Sequence, residues 1–109
     1  MYALNGVMHF FLTEHNAILH LFSTIVVLLL SFICSVSKFE AIALAGCVGL
    51  VWICELFNTA IERMMDHITP ERNPNVKFIK DVSAAAVLLA SLTSFIIGCI
   101  IFIPKLFML

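Results

Sequence analysis

The sequence has little charge and few residues that interrupt an apolar run. Only 12% of its 109 residues are charged, and it contains four glycines and three prolines. A soluble domain of this length could bury only part of its apolar surface. With 62% hydrophobic residues and a mean hydropathy of +1.12, the composition lies far outside the range of soluble proteins. We therefore expect one domain, residues 1–109, embedded in a membrane.

Several functional signals are also missing. The net charge of -1 does not predict nucleic-acid binding. The four cysteines form no CxxC pair, which favours buried thiols over structural zinc. The first residues show no basic n-region with a cleavage site, so we expect the apolar segments to remain in the protein. No Walker A glycine loop occurs, so any nucleotide site must be built from helix side chains.

Three apolar segments are long enough to cross a bilayer. They are Ala17 to Val36, Ala41 to about Ala60, and Val82 to Ile103, where Pro104 is expected to end the helix. About twenty residues at ~1.5 Å each cover the ~30 Å hydrocarbon core. The N-terminal "MYALNGVMHFFLTE" is shorter, which favours a surface-lying helix over a fourth crossing. The pattern predicts an all-α membrane protein with three transmembrane helices.

The Lys and Arg residues predict the orientation in the membrane. The first loop and the tail each carry one, Lys38 and Lys105, whereas the second loop carries four: Arg63, Arg72, Lys77 and Lys80. The second loop should therefore be cytoplasmic, with the N-terminus inside and the C-terminus outside. Glu14, which enters span one, and Glu55, which leaves span two, should then arrive at the same cytoplasmic face. The same face should hold Glu62, Asp66, Lys80 and Asp81.

Charges are crowded after the second span. Eight of the thirteen charged residues lie between Glu62 and Asp81. If the span continues as a helix through Asp66, the three carboxylates lie nearly in line when viewed down the helix axis. Around that axis Glu62 lies about 20° to one side of Glu55 and Asp66 about 20° to the other. Asn58 lies about 60° away. Glu55 is ~10 Å from Glu62 along the axis and ~16 Å from Asp66, so the three carboxylates should have different roles.

These polar residues differ in what they imply. An ionisable group inside a membrane segment is costly and usually functional, so Glu55 is a candidate general base. Glu62, Arg63, Asp66 and Arg72 are equally compatible with a solvated helix end that forms local ion pairs. Lys80 could extend to the membrane surface with Asp81 as its counter-charge. Alternatively, Lys80 contacts phosphate oxygens while acidic residues hold Mg²⁺.

Motifs at these positions resemble a known family. "ELFNTAIER" is followed by Asp66, by Pro70 and Glu71, and by "KDVSAAAVL", and upstream stand "ALNG" and "TEHNAILH". Together they resemble the small integral-membrane diacylglycerol kinases of bacteria, which include undecaprenol kinases. The resemblance extends from about residue 3 to the end of the third span. Unlike that family, the chain has no arginine or lysine around Asn5 and Gly6, so the resemblance does not carry the family's substrate or nucleotide contact over to this region.

The resemblance implies a fold and a reaction. The fold would be a homotrimer of three-helix protomers with a surface helix, in the bacterial inner membrane with its active site at the cytoplasmic face. The reaction would transfer the γ-phosphoryl group of MgATP to the hydroxyl of diacylglycerol or undecaprenol.

The resemblance also implies roles for individual residues. Glu55 matches the general base, Asn58 a site-orienting residue, and Glu14 and Glu62 the ligands of the divalent metal on ATP. Asp66, Lys80 and Asp81 match nucleotide-binding positions, as Glu14 and Glu62 also do. Asn16 and His20 fit one branch of the family, and we assign them no chemistry.

Two alternative functions belong to other classes. A small multidrug-type exporter has roughly this length and an early membrane glutamate, but it requires four spans with Glu14 deep inside the first. A non-enzymatic subunit of a membrane complex would keep the helices and leave the polar stripe of Glu55, Asn58 and Glu62 unexplained. The number of helices and lipid-dependent ATP consumption distinguish these alternatives from a kinase.

Overall fold

The chain folds into four helices in a computed structural model that describes residues 1–68 and 73–109. The helices are α1 (Tyr2–Thr13), α2 (His15–Ile33), α3 (Lys38–Ile68) and α4 (Pro74–Leu106), and these residues contain no strand. The last three helices are long and apolar enough to cross a membrane. The predicted all-α fold with three spans is therefore confirmed. Pro70, Glu71 and Arg72 of the sequence motifs lie outside the described residues.

The N-terminal segment forms a separate short helix, as predicted. At ~1.5 Å per residue the 12 residues of α1 extend ~18 Å, too little to cross the ~30 Å hydrocarbon core. Glu14 separates α1 from α2 with an extended backbone, φ -105° and ψ 126°. The exporter alternative requires Glu14 deep inside a membrane span. The position of Glu14 between two helices does not fit that architecture.

The turn between α2 and α3 is closed by side chains. Ser35 adopts a positive φ of 50°, which reverses the chain direction after α2. The backbone N–H of Glu40 donates to the Ser37 hydroxyl at 3.2 Å, and the N–H of Ser37 donates to the Glu40 carboxylate at 2.8 Å. This reciprocal capping box satisfies two backbone donors at the start of a helix. Helix α3 therefore begins at Lys38, three residues before the predicted span.

Two prolines lie at the ends of α4. Pro74 begins α4, where a missing backbone N–H has no intrahelical acceptor anyway. Asn73 caps this helix by accepting the Asn75 N–H at 2.8 Å. Pro104 was expected to end the third span, but α4 continues to Leu106. Pro104 has no N–H to donate to the carbonyl four residues earlier, so the last turn has one intrahelical hydrogen bond fewer.

Helix α3 is the central element of the fold. It packs extensively against α4 and has fewer contacts with α2. Near the α2–α3 turn the buried core consists of Cys34, Leu44, Ile101 and Phe102. Gly49 and Gly98 are not in tight contacts within one chain, since a Cβ added at either would meet no atom within 4 Å.

Most large apolar side chains of the spans are exposed on the outside of the chain. In water such a surface would be unfavourable, whereas hydrocarbon solvates it well. The helix backbones satisfy their own hydrogen bonds, which is the requirement for a chain in lipid. The fold is therefore that of a membrane protein, with few buried residues inside a single copy.

Charged pairs lie at both ends of the helix bundle. At the end that holds the α2–α3 turn, Lys105 pairs with Glu40 at 3.0 Å. At the other end Arg63 pairs with Glu14, and Lys80 pairs with Asp66. Along α3 the rise from residue 40 to residue 62 is ~33 Å, close to the thickness of the hydrocarbon core. We call the end that holds Glu14, Arg63, Asp66 and Lys80 the charged end.

Candidate active site

Among the residues that the structure describes, the largest fully buried side chain is a carboxylate. Glu55 lies in α3, only 2% exposed, and faces α2. The side-chain amide of Asn16 donates to its Oε1 at 3.3 Å. The Nε2 atom of His20 lies 3.4 Å from its Oε2. Both carboxylate oxygens therefore have a polar neighbour on α2, which offsets part of the cost of burying this group.

Sequence reasoning assigned no chemistry to Asn16 and His20, yet these residues contact Glu55. A signal was present, because two residues four apart share a face of a helix. The sequence could not show that this face of α2 meets the Glu55 face of α3. That contact depends on how the two helices are aligned.

A third polar contact joins α2 to α3 one turn further into the membrane. The indole N–H of Trp52 donates to the Thr24 hydroxyl at 3.0 Å. The His20 ring packs against the Trp52 ring with centroids 5.9 Å apart. Phe10 of α1 meets the same indole edge-on at 6.1 Å. Trp52 is thus held between α1 and α2, three residues before Glu55.

Asn58 joins α3 to α4. Its side chain is 9% exposed, and its carbonyl oxygen accepts a hydrogen bond from the Ser83 hydroxyl at 2.7 Å. Ser83 is the serine of "KDVSAAAVL", which sequence reasoning did not single out. Glu55 and Asn58 are one turn apart on α3, so this turn is fixed to α2 by one residue and to α4 by the other.

The charged end contains ion pairs between helices. Arg63 of α3 contacts Glu14 at 3.2 Å and the Thr13 hydroxyl at 2.9 Å. Lys80 of α4 pairs with Asp66 of α3 and not with its neighbour Asp81. Asp81 instead pairs with Lys77 at 2.7 Å within α4. Both readings of these residues, local ion pairs or a phosphate site, are compatible with this arrangement.

The residues expected to hold a metal lie on two helices. Glu14 is half-buried at the start of α2, and Glu62 is half-buried on α3, seven residues after Glu55. In residues 1–68 and 73–109 no three His, Cys, Asp or Glu side chains converge as a preformed metal site would require. Mg²⁺ is usually bound through one or two carboxylates together with substrate phosphates. Two glutamates supply ligands of that kind.

Comparison with known proteins identifies the family. Residues 1–102 match the family described as prokaryotic diacylglycerol kinase. The chain belongs to the prokaryotic diacylglycerol kinase family. Membership of this family makes it a lipid kinase, and its three span-length helices make it a multi-pass membrane protein.

Two curated relatives of this diacylglycerol kinase family member carry different names. The undecaprenol kinase of Bacillus subtilis (strain 168) is 38% identical over 94 residues, which cover 86% of this chain and 76% of that protein. The diacylglycerol kinase of Synechocystis sp. is 33% identical over 106 residues, which cover 96% of this chain. The matched region is only 61% of the length of the Synechocystis protein. The two names point to different acceptor lipids.

The Asn58–Ser83 hydrogen bond predicts a measurable contribution to the stability of the kinase. Ser83→Ala leaves the buried Asn58 carbonyl without this donor and should lower the free energy of unfolding by about 0.5–2 kcal/mol. Reversible unfolding in mixed detergent micelles measures the change. The control is Ser23→Ala, since the exposed Ser23 hydroxyl donates only to the Leu19 carbonyl of its own helix. Equal losses in the two variants would contradict the prediction.

Proposed function

We propose that this kinase transfers the γ-phosphoryl group of MgATP to the hydroxyl of a membrane lipid alcohol, either diacylglycerol or undecaprenol. The observation that carries the proposal is the position of Glu55: a buried carboxylate in a membrane helix, close to a charged end. An apolar substrate lies in the bilayer and an anionic substrate in water. The reacting groups must therefore meet at the boundary, where these residues lie.

In the proposed mechanism Glu55 is the general base. It accepts the proton of the lipid hydroxyl while the hydroxyl oxygen bonds to the γ-phosphorus and the bond from that phosphorus to the ADP oxygen breaks. Glu55 is ~10 Å deeper than Glu62 along α3. This depth suits a hydroxyl that lies inside the hydrocarbon region, on the side of the charged end. Asn58, one turn from Glu55 and bonded to Ser83, orients the polar groups beside it.

The nucleotide is proposed to bind at the charged end. Lys80 would exchange part of its contact with Asp66 for phosphate oxygens, and Asp66 and Asp81 would orient the nearby lysines. Glu14 and Glu62 would hold Mg²⁺, and their carboxylate oxygens fit this hard cation. When bound, Mg²⁺ neutralises phosphate charge. Arg63 contacts Glu14 and would keep its carboxylate directed toward α3.

The same proposal includes the cell membrane and the assembly. Three of the five described Lys and Arg residues, Arg63, Lys77 and Lys80, lie toward the charged end, which supports a cytoplasmic position in the bacterial inner membrane. A homotrimer follows from the family resemblance. The exposed apolar faces of the three long helices would then be shared between partner copies and lipid.

Glu55→Gln should lower kcat by at least 100-fold because it removes the base, whereas nucleotide affinity should change little. The assay incubates purified protein with Mg²⁺, ATP labelled at the γ-phosphate and either diacylglycerol or undecaprenol. The labelled lipid, phosphatidic acid or undecaprenyl phosphate, identifies the acceptor. Glu40→Gln, in the ion pair at the opposite end, is the matched control and should retain kcat within about twofold. Wild-type activity in Glu55→Gln would remove the proposed base.

Lys80→Met should weaken ATP binding and lower kcat/KM for ATP by about 10- to 1000-fold, because it removes the positive charge that is proposed to contact the phosphate oxygens. KM for the lipid should change much less. The same substitution at Lys105, whose Glu40 pair lies at the other end of the bundle, serves as the control. If Lys80→Met and Lys105→Met have equal effects on ATP kinetics, Lys80 does not bind the nucleotide.

A further inference from the structure

We propose that His20 is a positioning residue that fixes the carboxylate of Glu55, with Asn16 as a second support. This inference rests on the proposed role of Glu55 as the general base. It adds residues of α2 to a mechanism otherwise built from the glutamate of α3 and the charged end. Neither residue is placed in contact with the reacting atoms.

The first support is that α2 provides a polar contact to each of the two carboxylate oxygens of Glu55. Asn16 approaches Oε1 at 3.3 Å and His20 approaches Oε2 at 3.4 Å. A glutamate side chain has several rotatable bonds, so one contact would leave it free to turn about that contact. Two contacts from residues four apart on one rigid helix restrict both the position of the carboxylate and its rotation.

The chemistry of the contacts fits this role. A carboxylate only accepts hydrogen bonds, so the inference places a hydrogen on the Nε2 atom of His20. Each oxygen of Glu55 has two acceptor sites, and α2 uses one on each. The described residues make no further hydrogen bond to these oxygens, so the remaining sites are left for the lipid hydroxyl once it reaches this buried group.

The histidine is itself held in place. Its ring packs against Trp52, and Trp52 donates to Thr24 at 3.0 Å. The Thr24 hydroxyl donates to the His20 carbonyl at 2.8 Å. Residues 16, 20 and 24 are four apart and share one face of α2, whereas residues 52 and 55 share one face of α3. His20 is therefore part of a polar contact line between the two helices.

Two substitutions at His20 separate hydrogen bonding from packing. His20→Phe keeps an aromatic ring against Trp52 but removes the donor, and it should lower kcat by about 10- to 100-fold. KM for ATP and for the lipid should stay within about threefold, because neither substrate contacts His20 in this proposal. His20→Gln restores an N–H donor without the ring and should recover most of the lost kcat.

The control is His9→Phe, the same substitution at an exposed histidine of α1, which should retain wild-type kinetics. Wild-type kcat in His20→Phe would overturn the inference. Equal losses in His20→Phe and His20→Gln would also overturn it, because packing and not donation would then explain the effect. If His20→Phe does not fold, Asn16→Ala supplies the same comparison at an exposed position and should lower kcat with unchanged KM values.

These outcomes are distinct from failure of the proposed function. Full activity in Glu55→Gln, or wild-type protein that labels no lipid, would overturn the proposed function itself. A third outcome would contradict only the role of His20. In that outcome the wild type is active, Glu55→Gln is inactive and His20→Phe has wild-type activity. A final test combines the changes, since His20→Phe should cause no further loss in the Glu55→Gln background if it acts through that carboxylate.

Discussion

A carboxylate inside a membrane helix must be given polar neighbours by the protein, and much of this fold follows from that requirement. Burying Glu55 without partners would cost several kcal/mol, since neither lipid nor an apolar core can replace water. The partners come from α2, which carries Asn16 and His20 on the face that meets α3. Trp52 fixes the same contact one turn away. The position of α2 on α3 is thus tied to the group proposed to carry the chemistry.

The thickness of the bilayer explains where the other charges lie. Glu40 and Glu62 are ~33 Å apart along α3, so both can reach water while the residues between them cross hydrocarbon. Glu55 lies ~10 Å inside this interval, on the side of the charged end. In the proposed mechanism a lipid hydroxyl reaches this depth from the bilayer, and a nucleotide bound at the charged end extends its terminal phosphate toward Glu55. The proposed function would give the crowding of eight charged residues between Glu62 and Asp81 a physical reason.

The sequence predicted the helices well because span length and apolar runs are local properties. The prediction that Glu55, Asn58 and Glu62 lie along one side of a helix likewise required only the 3.6-residue helical repeat. The ends of the helices were less predictable: Ser37 and Glu40 begin α3 early through a capping box, and α4 continues past Pro104 to Leu106.

The partners of the polar residues could not be read from the sequence. His20 contacts Glu55 across 35 positions, and Lys80 pairs with Asp66 rather than with Asp81 beside it. Such pairings depend on the packing and relative alignment of different helices. The central claim, that one end of the bundle binds the nucleotide above Glu55, is tested most directly by paramagnetic broadening of backbone NMR signals. With Mn²⁺ and a non-hydrolysable ATP analogue, we predict broadening of residues 14–20 and 58–66 and sharp signals for residues 36–44; the reverse pattern would contradict the account.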